Sequence, residues 1–151
     1  MNKKKGIWFF GLSGSGKSFA SEYIHKKIKK SIIIDGDVVR KFISFDLGYS
    51  IDDREIQIRR TLGIAKIIIK SNHFPIISTV WMNEKIFKNS INNGIDVIKI
   101  DSDLNKLIKK HKTYKNKKNV VGIDIEYNKN IKSKILYNNK DLTFWKTLKK
   151  L

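Results

Sequence analysis

Short, continuously apolar runs rich in β-branched residues alternate along the chain with longer segments whose apolar residues recur every three to four positions. A parallel sheet wrapped by helices produces this alternation. Its strands are buried on both faces and read as solid apolar runs, while each crossover helix buries one stripe. Strands are predicted over 5–11 (KGIWFFG), 31–35 (SIIID), 75–80 (PIISTV) and 95–100 (IDVIKI), with 134–137 (KILY) as the last. Pro75, the only proline, opens its run, where no ladder donor is lost. Helices are predicted over 16–30, 38–42, 52–71, 82–92 and 103–111, and a terminal one from Asp141, its cap, to Leu151. In the longest of them the stripe is Ile56, Ile58, Leu62, Ile64, Ala65, Ile68 and Ile69. Residues 112–134 are lysine-rich and nearly aperiodic apart from VVGIDIEY, and KNKKN (115–119) reads as a mobile, exposed loop. No repeat or linker interrupts the pattern. The expectation is one α/β domain over 1–151, a parallel β-sheet of about five strands flanked by helices.

Composition narrows the function classes. No apolar run approaches the roughly 18 residues that span a bilayer, and the N-terminal apolar stretch is broken too soon by Gly11 to be a signal sequence. The absence of cysteine excludes disulfides, zinc thiolate sites and cysteine nucleophiles. A cytoplasmic location and no membrane partner are expected. The net charge of +18 comes mainly from dispersed lysines, in a chain also rich in isoleucine and asparagine. Such a field draws in anionic substrates. Without a groove or a platform of interleaved aromatics, however, it does not predict a specific nucleic-acid partner, the main rival reading from another class. The four arginines behave differently: Arg40, Arg54, Arg59 and Arg60 all fall between positions 40 and 60, a clustering that suits two-pronged anion recognition. His25, His73 and His111 lack metal-ligand spacing and receive no role.

The chemistry begins at GLSGSGKS, residues 11–18. It fits G-x-x-x-x-G-K-[ST], with a predicted strand before it and a helix after it. Gly11, Gly14 and Gly16 let the backbone curl so that the amides of the loop, Ser13 and Ser15 among them, point at phosphate oxygens. Lys17 reaches the β and γ phosphates, the Ser18 hydroxyl suits Mg²⁺, and the helix dipole adds to the anion site. The loop alone does not separate a GTPase, an ATPase and a small-molecule kinase. No NKxD-type guanine motif follows the fourth strand, and the size and alternation suit the nucleotide-kinase branch. The second strand then ends in IDGDVVR (34–40), which sets Asp35 and Asp37 at the carboxyl edge of the sheet, the usual crevice of an open parallel fold. One carboxylate there can orient or deprotonate an attacking hydroxyl while the other helps hold metal. A purely regulatory ATP-binding module has no use for such a pair beside an arginine clamp.

GLSGSGKS, DGDVVRK, DLGYSIDDREIQIRR, IIST and VVGIDIEY occur in that order from Ile7 to Tyr127, and together they resemble the adenylylsulfate kinases. The resemblance implies a P-loop kinase fold and Mg·ATP-dependent transfer to the ribose 3′-hydroxyl of a nucleotide whose 5′-phosphate carries an anhydride-linked sulfate. By matching position it makes Asp35 the base and metal-positioning carboxylate, assisted by Asp37. Arg40 and Arg54 become the clamp on the acceptor's phosphates, and Tyr49 an aromatic that stacks on its base. Gln57, Ile77, Ser78, Trp81, Lys118 and Ile123 join the acceptor side; a covalent phosphoserine at Ser78 is not expected. The lid falls at about 109–121, where Lys112, Lys115, Lys117 and Lys118 are placed to fold over the phosphates. The partner is a small-molecule nucleotide. A homodimer is compatible with the resemblance, although no interface is legible.

The departures lie on the acceptor side. The family's ISPYR-type run is ISTVWMN here, and its F-T-G-I is Val120, Val121, Gly122, Ile123. The family's phenylalanine forms the second face of a sandwich around adenine, and a valine cannot stack. Gln57 replaces an asparagine that touches the acceptor, Ile56 replaces a glutamate, and the lid is some five residues short. Intact phosphate-loop chemistry beside an altered pocket points to a changed acceptor: a pyrimidine set against Tyr49, with Trp81 nearby. Diverged kinases of this kind phosphorylate cytidine diphosphoramidate in bacterial capsule phosphoramidate synthesis. That acceptor is the favoured expectation, with adenylylsulfate as the alternative. Trp81, for its part, also fits simple core packing, and Phe144 and Trp145 read as packing the terminal helix.

Overall fold

The computed structural model describes residues 4–115, 118–126, 131–138 and 142–151. Strands β1 (Gly6–Phe10), β2 (Ser31–Asp35), β3 (Phe74–Thr79), β4 (Ile95–Asp101) and β5 (Lys134–Tyr137) form one sheet in the order β2-β3-β1-β4-β5. Every pairing is parallel, so all carboxyl ends lie along one edge. The chain leaves β1 towards β2 on one side and later returns to β4 on the other, which makes the end of β1 a topological switch point where ligands bind. Register completes the placement: Asp35 pairs with Ser78, and Phe10 with both Thr79 and Lys99.

The crossovers are α1 (Lys17–Lys27), α2 (Gly36–Phe42), α3 (Ile51–Lys70), α4 (Glu84–Asn92) and α5 (Leu104–Lys110). A 3₁₀ turn (Lys112–Lys115) follows α5, and α6 (Leu142–Lys149) follows β5. Alternate residues of β1 supply two cores. Trp8 and Phe10 pack with Ile58 and Leu62 of α3 and Ile86 of α4, while Ile7 and Phe9 pack with Ala20 and Ile24 of α1 and Phe144 and Leu148 of α6. Each of the large buried side chains among them contributes roughly 1.5–3 kcal/mol. Trp145 meets Phe19 edge-on, with centroids 4.6 Å apart, and this seats α6 against α1.

Capping moves several boundaries from their expected positions. Asp35 accepts from the amides of Asp37 and Val38, so α2 starts at Gly36, ahead of the expected 38. Asn83 accepts from Ile86 N–H at 2.8 Å, so α4 starts at Glu84 and leaves Met82 buried in the core. Ser50 and Asp53 close a capping box at the head of α3. Helix α1 ends at Lys27, short of 30, before a turn through Lys30 in the left-handed region (φ 59°). The expected Asp141 cap, Tyr127 and Lys117 lie outside the described residues. Among the described residues no helix is long and apolar enough to cross a membrane.

Candidate active site

The phosphate loop is held by its own backbone. Gly14 (φ 81°) and Gly16 (φ 104°) occupy conformations that other residues adopt only with strain. A Cβ on Gly16 would also lie 2.4 Å from Asn138 Nδ2. Asn138, just after β5, donates Nδ2–H to the Ser15 carbonyl at 2.8 Å and so braces the loop from behind. Lys17 Nζ curls back to the Leu12 carbonyl at 2.9 Å. Burial pulls the Lys17 ammonium down to about 8, against the opposing pull of the Asp37 and Asp35 carboxylates. An ammonium held in such a place is short of anionic company, as a phosphate-binding lysine should be. The Ser15 hydroxyl is buried without a partner among the described residues.

The two carboxylates differ sharply. Asp35 is fully engaged: Oδ1 takes the amides of Asp37 (2.8 Å) and Val38 (3.3 Å), and Oδ2 takes the Ser78 hydroxyl (3.0 Å). Asp37 is exposed, and its carboxylate makes no hydrogen bond among the described residues, although it faces Lys17 and Arg54 electrostatically. The Ser18 hydroxyl is likewise exposed at the loop. An oxygen-seeking divalent ion fits these free oxygens.

Opposite stand the guanidiniums. Arg40 and Arg54 lie over the Tyr49 ring at 4.5 and 5.7 Å from its centroid. Arg40 donates to the Gly48 carbonyl. Arg54 Nε donates to Tyr49 O at 3.1 Å, and Nη2 to Asn119 O at 2.8 Å. Burial, then the neighbouring Arg40, pulls Arg54 below its ordinary pKa. Two cations so close, with donors to spare, favour an anion between them. Arg60 instead turns away to Asp46, and Arg59 is exposed. The arginine clustering thus resolves into two cavity residues and two surface residues.

One cavity of about 540 Å³ joins these walls: Lys17, Ser18, Asp35, Asp37, Arg40 and Arg54 all line it. So do Ser13 and Gly14 of the loop, and Tyr49, Gln57, Ser78, Trp81 and Lys118, which the sequence leads one to expect on the acceptor side. Gly11, Ser15 and Gly16 shape the loop without lining the cavity. Ile77 is buried in the core and Ile123 lies on the 118–126 segment; neither lines it. Trp81 is only 8% exposed and packs in the same core as Trp8, so packing accounts for most of its surface. Gln57 donates Nε2–H to the Gly36 carbonyl at 2.9 Å and so braces the turn between the carboxylates. Val120 lines the cavity from a turn in which Asp124 accepts from the amides of Asn119 and Val120.

The structure adds residues that sequence reasoning missed. His111 lines the cavity, and the Tyr114 hydroxyl donates to Ser13 O at 2.9 Å. Burial pushes that hydroxyl up to about 12, which keeps it a donor. Contacts between a residue after α5 and the first loop leave no trace in local periodicity.

The adenylylsulphate kinase family model matches residues 3–137. Adenylyl-sulfate kinase of Paraburkholderia xenovorans (strain LB400) is 36% identical over 78 residues, 49% of this chain and 43% of that protein. Adenylyl-sulfate kinase 4, chloroplastic, of Arabidopsis thaliana is 43% identical over 84 residues, 52% of this chain and 27% of that protein. The matched stretches thus span less than half the length of these relatives. In fold, the chain resembles the Mycobacterium tuberculosis APS kinase CysC, solved in complex with AMPPNP and APS, with a TM-score of 0.79 and 23% identity. That likeness covers 98% of this chain and 95% of the other. With a family match over nearly its whole length and the P-loop kinase fold to carry it, this chain belongs to the adenylylsulphate kinase family.

Proposed function

We propose that the chain is a Mg·ATP-dependent kinase that phosphorylates the ribose 3′-hydroxyl of a nucleotide with a modified 5′-phosphate end. One observation carries this reading: a single cavity holds the phosphate-loop lysine, the Asp35–Asp37 pair and the Arg40–Arg54 pair. In the reaction the bond from the γ-phosphorus to the bridging oxygen breaks and ADP leaves. A bond to the acceptor's 3′-oxygen forms, and the hydroxyl proton passes to a carboxylate. Mg²⁺, when bound, neutralises charge on the phosphates. Ser18 and Asp37 have the free oxygens that would hold it, and Asp35, the residue the resemblance names, borders the same cavity. Asp35 is locked by three donors and is suited to orienting the acceptor hydroxyl, while the unencumbered Asp37 is placed to take the proton or hold the ion. Lys17 and the loop amides stabilise the migrating charge, which is most of what phosphoryl transfer asks of a protein.

Adenylylsulfate is the acceptor this reading supports best, because the family and the relatives carry its name. Cytidine diphosphoramidate, the acceptor favoured from sequence alone, rests on one observation. Val120 is the residue presented to the cavity where the family pattern has its second aromatic face. The deciding experiment supplies Mg·ATP with each acceptor separately and follows formation of the 3′-phosphorylated product. Product from adenylylsulfate is expected. Turnover of the cytidine compound alone would reverse the order, and turnover of neither, with no esterified sugar hydroxyl, would overturn the proposal.

A further inference from the structure

A second cavity of about 410 Å³ adjoins the first, bounded by Ser102, Asp103, Lys106, Leu107 and Asn138. Gly14 and His111 line both cavities, so the imidazole stands at the passage between them. If the acceptor nucleotide fills the first cavity, the nucleoside end of ATP needs other space, and the second cavity is adjacent to the loop that takes its phosphates. A triphosphate joining the two must run past Gly14.

The orientation of His111 follows from its neighbours. The Thr113 amide donates to Nδ1 at 3.4 Å, which assigns Nδ1 as the acceptor and places the hydrogen of the neutral ring on Nε2. The ring packs on the loop through Cδ2, which would lie 3.0 Å from a Cβ built on Gly14, with Cγ at 3.5 Å; Nε2 is bonded to that same Cδ2 and is the polar atom nearest the contact along the ring. Tyr114 packs edge-on to the ring at 6.0 Å and, through its hydroxyl on Ser13 O, holds this segment to the loop. A side chain at position 14 would crowd the ring, so the glycine leaves it room.

We propose that His111 donates its Nε2–H to a phosphate oxygen of ATP where the nucleotide passes Gly14, and so acts as a donor-side binding residue. This rests on the reading of the phosphate loop as an ATP site. The roles of the two ring nitrogens give the test a handle, since the glutamine amide nitrogen reaches the position of Nε2 and the asparagine amide nitrogen that of Nδ1.

The experiment is calorimetric titration of a non-hydrolysable ATP analogue with Mg²⁺ into the wild type and the variants His111→Ala, His111→Gln and His111→Asn, with a thermal melt for each. Loss of one hydrogen bond to a charged oxygen predicts about tenfold weaker binding for the alanine variant. Glutamine should restore most of the loss, and asparagine little of it. Wild-type affinity in the alanine variant, or equal rescue by asparagine and glutamine, overturns the assignment while the ATP site stands. Should the alanine variant fail to fold, the glutamine–asparagine comparison decides alone. A wild type that binds no analogue overturns the ATP site and this assignment together.

Discussion

The two walls of the cavity are built by opposite means. The donor wall is backbone: amides in a loop fixed by left-handed glycines and braced by the Asn138 amide. The acceptor wall consists of long side chains from α2 and α3. Their guanidiniums are anchored to the carbonyls of Gly48, Tyr49 and Asn119, and part of its surface comes from the turn bearing Val120. A backbone cradle recognises phosphate whatever nucleoside is attached, and it tolerates little change. A side-chain wall can be retailored one residue at a time, and there the family pattern and this chain part company.

The largest break in that contrast comes from Lys17→Ala, the one donor-wall contact that depends on a side chain's charge. Turnover should fall by about 1000-fold, the upper scale for removing one preorganised electrostatic contact, while the thermal midpoint holds. Retained activity in a coupled ADP-release assay would remove Lys17 from the chemistry. Next come the carboxylates. Asp37→Ala should lower turnover about 100-fold without loss of stability, because its side chain caps nothing. Asp35→Ala should lower turnover by a similar, about 100-fold factor and also lower stability by about 1 kcal/mol, since α2 loses its N-cap. Denaturant melts beside rate measurements separate the two, and equal stabilities would contradict the capping geometry.

A smaller effect probes the acceptor wall. Val120→Phe restores an aromatic face and should shift the ratio of kcat/KM towards an adenine acceptor by about fivefold, the scale of one aromatic contact. An unchanged ratio would place the base elsewhere. The smallest effect concerns pH. Free Lys17 titrates near 8, below its ordinary value of 10.5, and bound phosphates favour its charged form. Mg·ATP binding should therefore take up a proton above about pH 8 and weaken as pH rises, measured as buffer-dependent heats in calorimetry. The sign for folding is the reverse. Between about 8 and 10.5 the unfolded lysine holds the proton that the folded one has released, so Lys17's contribution to stability rises with pH across that window.

The contrast between the walls also explains what the sequence revealed. A backbone cradle needs glycines at set spacing, so GLSGSGKS was legible, and β1 and β3 were legible because strands buried on both faces leave solid apolar runs. Boundaries set by side-chain caps were less so: Asn83 delays α4 and Asp35 advances α2, yet neither alters periodicity. On the acceptor side residue types do not fix roles, because Gln57 and Trp81 line the cavity and also support the fold. Gln57 braces the Gly36 carbonyl, and Trp81 lies in the core. His111 and Tyr114 escaped notice because their partners, Gly14 and Ser13, stand at the other end of the chain.

One amide of Asn138 ties the outermost strand to the first loop. A slip of β5 by a single residue against β4 would turn that side chain to the opposite side of the sheet. The Ser15 carbonyl would then keep only the longer, 3.4 Å contact from the Ser102 hydroxyl, and the cradle would slacken although no residue of its own motif had changed. Inheritance of the motif alone is therefore no guarantee of a working donor site, because alignment errors at the far edge are felt at the centre.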